Sequence, residues 1–161
     1  LNNDIVQFAR HEFNILLGER MAEQAKIKIG SAALLEHSLD MHVRGRNLIS
    51  GLPKEVVIND SQVRHALSRS IGFIIDNIKA TLEVTPPELV ADIYERGITL
   101  FGAGAQLKGL DVAIAAAMSI PVQVADDPAT CVVRGTGIIL EDVEAMSDVI
   151  LASTQQESII R

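Results

Sequence analysis

Three features of the sequence predict an α/β fold for this 161-residue chain. Residues 98–101 are a short run of apolar and β-branched residues that breaks into Gly102-Ala103-Gly104-Ala105, after which Leu107, Leu110, Ala113, Ile114 and Ala117 recur at helical spacing. Between residues 39 and 58 the hydrophobic period is two, the signature of strands with one buried face. Elsewhere apolar stripes of helical period dominate, most clearly Ile71, Ile74, Ile75, Ile78 and Leu82.

The first helix is predicted almost at the start, capped by Asn2, Asn3 or Asp4 and continued by Ile5, Phe8, Ala9 and Phe13. Because the chain opens on Leu1 rather than Met and enters this helix at once, it reads as a piece cut from something longer. Residues 14–18 break the rhythm, and Glu19 opens a second, charged helix that ends near Gly30. Glu19, Glu23 and Lys26 share one face of it, which by itself reads as a solvated face with a surface ion pair worth well under ~1 kcal/mol. The alternation Lys26-Ile27-Lys28-Ile29 leaves open that this helix ends as a strand.

Leu39, Met41 and Val43 alternate with polar residues in a first strand, with a turn expected at residues 45–47 and a second strand over 55–58. Asn59, with Gln62 three residues on, has the pattern of a capping box before the long helix. That helix ends before Pro86-Pro87, and a short helix over 88–94 leads into the glycine turn. A strand at 122–125, a turn at 126–128 and a helix through Leu140 follow, while residues 147–161 carry few packing signals. The glycine turn leaves backbone N–H groups unpaired at a helix start, where an anion or polar ligand can sit. Its G-x-G-x-x-x-x-G spacing matches neither a dinucleotide fingerprint nor a phosphate-cradling loop. Alone, such a turn is more often a plain strand-to-helix connection than a ligand site.

Composition narrows the class. With 48% apolar and 22% charged residues, the chain has the make-up of a soluble globular protein able to bury one good core. A net charge of −7 and an aromatic content of 3% argue against nucleic acid as a partner, which needs a basic face and stacking side chains. The single Cys131 excludes an internal disulfide, and no signal peptide or membrane span is visible, so a reducing cytoplasm is expected. The four His residues show no ligand spacing, Cys131 reads as a small core residue, and Asp126-Asp127 reads as a turn or helix cap. No catalytic motif emerges from these residues.

The segments GERMAEQAKIKIG, VRGRNLISGLPKEVVI, TPPELVADIYERGITLFGAGAQLKGL and PVQVADDPATCVVRGTG, in that order and spacing, resemble the bacterial actin-like rod-shape-determining family, MreB. The resemblance runs from about Asp4 to Glu141 and corresponds to the C-terminal half of that fold, domain II. It implies an actin-like ATPase domain with a ribonuclease-H-like α/β subdomain and a small inserted α+β subdomain. Residues 1–30 and 61–145 would form the nucleotide-binding α/β part, 31–60 the small β-rich part and 146–161 a C-terminal tail.

In the wider group of actins and chaperone ATPases, ATP lies in a cleft between two halves, and this half supplies the adenosine side. A Glu-x-x-Lys on a helix holds the ribose and adenine edge there, and a glycine turn passes beside the adenine. The resemblance places Glu23 and Lys26 in the first role with Gln24 on the same turn, and Gly102, Gly104, Ala105, Gln106 and Leu107 in the second. A carboxylate accepts hydrogen bonds from sugar hydroxyls, an ammonium donates near the adenosine, and small residues let a flat ring approach the backbone. Where the family usually reads Thr-Gly-Gly-Gly-Ala, this chain reads Phe101-Gly102-Ala103-Gly104-Ala105, which implies weaker adenosine affinity or a reshaped pocket.

The family's phosphate hairpins, catalytic carboxylate, magnesium site and membrane-contacting element precede the matched region. The implied protein is a slow ATPase when full length, and this chain alone is expected not to hydrolyse ATP. Its implied setting is the cytoplasmic face of the membrane, in filaments of its own copies that work with the cell-wall elongation machinery to control cell shape. Two alternatives stay open: half of another ATPase of the actin, heat-shock-chaperone and sugar-kinase group, or a truncation that folds but binds nothing.

Overall fold

The computed structural model describes residues 1–144, 146 and 147. The fold is α/β. Helix α1 (Asn2–Phe13), strand β1 (Ile15–Leu16) and helix α2 (Glu19–Ile29) come first, then strands β2 (Asp40–Asn47) and β3 (Pro53–Asn59) and the long helix α3 (Asp60–Glu83). Helix α4 (Pro87–Arg96), strand β4 (Ile98–Leu100), a 3-10 turn (Ala103–Gln106), helix α5 (Leu110–Met118), strand β5 (Val122–Val124) and helix α6 (Cys131–Glu141) complete the order. Strands β1, β2 and β3 make an antiparallel sheet in that order, and β4 and β5 a separate parallel pair. The predicted tail falls, from residue 148 on, outside the described residues.

One core joins the first three helices to the antiparallel sheet. Ile5 and Ala9 of α1, Ala22, Ala25 and Ile29 of α2, Val63, Leu67 and Ile71 of α3, and Val43 and Ile58 of the sheet are all buried in it. Each fully buried Ile, Leu or Val contributes about 1.5–3 kcal/mol relative to exposure. The i, i+3, i+7 and i, i+4, i+8 spacings on α2 and α3 therefore decide which faces turn inward and which remain outside. Leu107, Leu110 and Ile114 extend the same core to the glycine-turn region.

Local chemistry explains the boundaries. The capping box at Asn59 is complete: the Gln62 N–H donates to Asn59 Oδ1 at 2.9 Å, and the Asn59 N–H donates to Gln62 Oε1 at 3.0 Å. The residue after the cap, Asp60, is buried and accepts from the Leu39 N–H (3.1 Å), the Ser38 hydroxyl (3.1 Å) and the Arg64 guanidinium (3.0 Å). These bonds tie the start of β2 to the first turn of α3. The Leu39 N–H, with help from Arg64 and Ser38, holds the Asp60 carboxyl below its ordinary value against the opposing effect of burial.

Three boundaries differ from those the sequence suggests. The break after α1 contains the two-residue strand β1, which pairs Ile15 with Asn47 and Leu16 with Arg46. The turn expected at 45–47 lies inside β2, and the chain reverses instead over 48–52. There, Asn47 Oδ1 accepts from the Ile49 N–H at 2.8 Å and Gly51 takes a left-handed φ of 74°. Gly45 is a strand residue because β1 passes close by: a Cβ there would collide with the Leu16 carbonyl oxygen. After β4 the chain makes a 3-10 turn before α5 begins at Leu110, so Leu107 precedes the helix rather than lying on it. The Lys26–Ile29 alternation is helical to its end, with Gly30 as the C-cap donating to the Lys26 carbonyl at 3.0 Å.

Candidate functional site

Helix α2 turns Ala22, Ala25 and Ile29 into the core, which leaves Glu23, Lys26 and Ile27 on the opposite side. Facing them is the 3-10 turn. Gly102, with φ at 85°, donates to the Pro128 carbonyl at 2.6 Å, while Ala105 donates to Gly102 at 3.0 Å and Leu107 to Gly104 at 3.2 Å. Burial of Ala105 and Leu107 pins this turn to the body and leaves Ala103, Gly104 and Gln106 exposed.

The two elements enclose a cavity of ≈ 160 Å³, lined by Leu1, Glu23, Lys26 and Ile27 on one side and Ala103, Gly104, Gln106 and Leu107 on the other. Of the residues singled out in the sequence, the structure brings Glu23, Lys26, Gly104, Gln106 and Leu107 to this space. Gln24 is half-buried on α2, Gly102 shapes the start of the turn, and Ala105 lies beneath it; none of these three lines the cavity. Sequence reasoning missed Leu1, Ile27 and Ala103 as lining residues. Ile27 follows Glu23 at i+4, so its helical position was the available signal. The space is smaller than the roughly 300–1,000 Å³ of ligand pockets, as one wall of a divided cleft would be.

Two observations bear on what the cavity can hold. A Cβ built on Gly104 would meet no atom within 4 Å, so the backbone there borders open space. The ion pair that the charged face of α2 suggests does not form: among the described residues, neither Glu23 nor Lys26 has an ion-pair or hydrogen-bond partner for its charged group. An acceptor carboxylate and a three-donor ammonium thus stand one helical turn apart beside a bare backbone. This arrangement fits a flat, partly polar ligand with hydroxyls at one end.

Other polar clusters lie elsewhere. On the exposed face of β2 and β3, Glu55 pairs with Arg44 and with His42 Nδ1 at 3.0 Å, and these partners, Arg44 first, lower the Glu55 carboxyl from its ordinary value. The Asp127 backbone carbonyl accepts from the Thr130 and Cys131 N–H groups and its carboxylate from the Thr130 hydroxyl, so Asp127 closes the turn before α6, whose N-cap is Thr130. Cys131 is only half-buried at the start of that helix. A second, larger hollow of ≈ 360 Å³ lies between Asn2, Asn3 and Val6 of α1 and Leu17 and Glu19, and none of the predicted site residues lines it. Among the described residues no group of three or more His, Cys, Asp or Glu is placed to hold a metal, and no helix is long and apolar enough to cross a membrane.

Comparison with known proteins gives the family and the fold. The sequence pattern of the MreB/Mbl protein family matches residues 1–148. Over 143 residues the chain is 39% identical to the cell shape-determining protein Mbl of Bacillus subtilis, a match covering 89% of this chain and 43% of that protein. It is 41% identical over 140 residues to the cell shape-determining protein MreB of Escherichia coli, covering 87% and 40%. The crystal structure of MreB5 of Spiroplasma citri bound to ADP superposes with a TM-score of 0.86 at 36% identity, over 88% of this chain and 43% of that one. Its AMPPNP-bound form gives 0.87 at 35%, over 91% and 44%. The fold is therefore actin-like, and the chain spans less than half the length of these relatives. It belongs to the MreB/Mbl family.

Proposed function

We propose that this chain supplies the adenosine side of the ATP cleft of an actin-like, filament-forming protein that controls bacterial cell shape and wall synthesis. The observation that carries the reading is the cavity between α2 and the glycine turn. Glu23 and Lys26, both without partners among the described residues, face Gly104 there across open space. In this reading Glu23 accepts from the ribose hydroxyls, Lys26 donates to the adenosine, and the adenine lies against Gly104 with Gln106 and Leu107 beside it. Gln24 lies next to that pair on α2, while Gly102 and Ala105 shape and anchor the turn. The ADP- and AMPPNP-bound Spiroplasma citri relatives support an adenine nucleotide as ligand.

The domain division goes with the same reading: residues 1–30 and 61–145 bind the nucleotide and 31–60 form the small β-rich part. The whole protein is proposed to act in the bacterial cytoplasm, assembling with its own copies. The cell shape-determining relatives support that role.

Calorimetric titration of the chain with ADP, adenosine and inorganic phosphate tests the proposal. Because the proposed contacts all lie on the adenosine side, adenosine and ADP are expected to bind with comparable affinity and phosphate not at all. ATP hydrolysis should stay at background. Binding of ADP and phosphate without adenosine would overturn the reading.

A further inference from the structure

The two walls of the cavity come from residues about eighty positions apart, and one residue outside the cavity joins them. Lys108 directly follows the turn that ends at Leu107. Its ammonium donates to the Lys28 carbonyl at 2.8 Å, in the last turn of α2, and its own carbonyl accepts from the Ala32 N–H at 2.7 Å. Lys108 and Ser31 also form an isolated parallel β-bridge. The Lys28 carbonyl is one of the four that a helix C-terminus leaves without an intrahelical partner, and a cation there is further favoured by the helix dipole.

The seam around these bonds is built from small residues. Ser31 is fully buried, and a Cβ on Gly109 would sit 2.7 Å from the Ala33 Cβ. Segments 30–33 and 108–109 thus touch with no room to slide, and the Lys108 ammonium closes the helix side of the contact.

We propose that Lys108 is a positioning residue for nucleotide binding: it fixes the end of α2 against the glycine turn and so sets the gap between Lys26 and Gly104. The proposal rests on reading the cavity as an adenosine site. Lys26 lies two residues before Lys28, and Leu107 one residue before Lys108, so movement at the seam is transmitted to both walls. A ligand gripped from two sides binds best when the sides are already spaced for it. Lys108 itself does not line the cavity, so its effect passes through α2 rather than through contact with the ligand.

Three versions of the full 161-residue chain, unmodified, Lys108→Met and Lys108→Arg, would be titrated with ADP and melted without it. Met keeps the length of the stem but loses the donor, and Arg keeps a donor able to reach a carbonyl. Lys108→Met is expected to weaken ADP binding roughly two- to ten-fold, the range of one hydrogen bond, while Lys108→Arg stays within about two-fold of the unmodified chain. In a Lys26→Ala background the loss on Lys108→Met should shrink, since the contact being positioned is gone.

Unchanged ADP affinity in Lys108→Met overturns the proposal, whatever the melting temperature does. Equal losses in the Met and Arg variants, or full additivity with Lys26→Ala, overturn it as well. Failure of the unmodified chain to bind ADP overturns the adenosine reading, and this proposal with it. If the unmodified chain binds ADP and loses it on Gly104→Val but not on Lys108→Met, the adenosine reading survives and only the positioning role fails.

Discussion

Two glycine substitutions, five residues apart, should differ sharply in their effect on folding. At Gly104 an added Cβ borders the cavity and meets no atom of the described residues within 4 Å. Gly104→Val should therefore change stability by no more than about 0.5 kcal/mol, or roughly 1–2 °C in melting temperature for a domain of this size. Overfilling a fitted site costs about 1–3 kcal/mol, so ADP affinity should fall roughly 5- to 150-fold. Gly109 is the opposite case. Its φ of 70° is left-handed, and a Cβ there would approach the Ala33 Cβ to 2.7 Å. The backbone conformation alone costs a non-glycine residue about 1–2 kcal/mol, and overpacking the seam adds a further ~1–3 kcal/mol. Gly109→Ala should lower the melting temperature by roughly 4–8 °C or more. Thermal melting by circular dichroism and ADP titration of both variants provide the readouts. A Gly104→Val chain that binds ADP like the unmodified one, or that melts as low as Gly109→Ala, would refute the reasoning.

Other predictions follow from single contacts. Lys26→Ala should leave stability within about 0.5 kcal/mol but weaken ADP binding ten- to a hundred-fold, the worth of a charge-assisted hydrogen bond of about 1.5–3 kcal/mol. Lys28→Ala, two residues and about 200° further round the helix, should bind normally because only the Lys28 backbone carbonyl is used; calorimetry on both variants checks the register. Asp60→Asn should lower the urea midpoint at pH 7, since the carboxylate that gathers Leu39, Ser38 and Arg64 is lost. The folded-state value of Asp60 is depressed, so its stabilisation is fully present above the unfolded value of about 3.9 and is lost as pH falls through the lower folded value. The gap between the two chains should therefore close below about pH 4, and a gap that widens on acidification would contradict the assignment.

Much of this architecture was legible because the signals were local. The cap at Asn59 and Gln62 needs only two side chains three residues apart, and the stripe on α3 repeats over several turns. Strand β1 was not legible, since two residues have no period and Ile15 and Leu16 are a strand only because β2 lies beside them. The same neighbour hid the role of Gly45. A glycine required by the close approach of another strand looks, in sequence, like one required by a turn. For the candidate site, the i, i+3 spacing of Glu23 and Lys26 put both on one face of α2, yet nothing local said that this face looks onto Gly104. That juxtaposition depends on the seam between residues 30–33 and 108–109, a contact across nearly eighty residues. Of the four segments quoted for the resemblance, GERMAEQAKIKIG carries Glu23 and Lys26, and TPPELVADIYERGITLFGAGAQLKGL carries the glycine turn and Lys108.

The adenosine role of the cavity is tested most directly by following the backbone amide resonances of the isotope-labelled chain as ADP is added. The account predicts that the largest, saturable shifts fall on Glu23, Lys26, Gly104, Gln106 and Leu107, with Lys28 and the β2–β3 face unmoved. Shifts centred instead on the hollow between Asn2, Asn3, Val6, Leu17 and Glu19, or no saturable shifts at all, would contradict it.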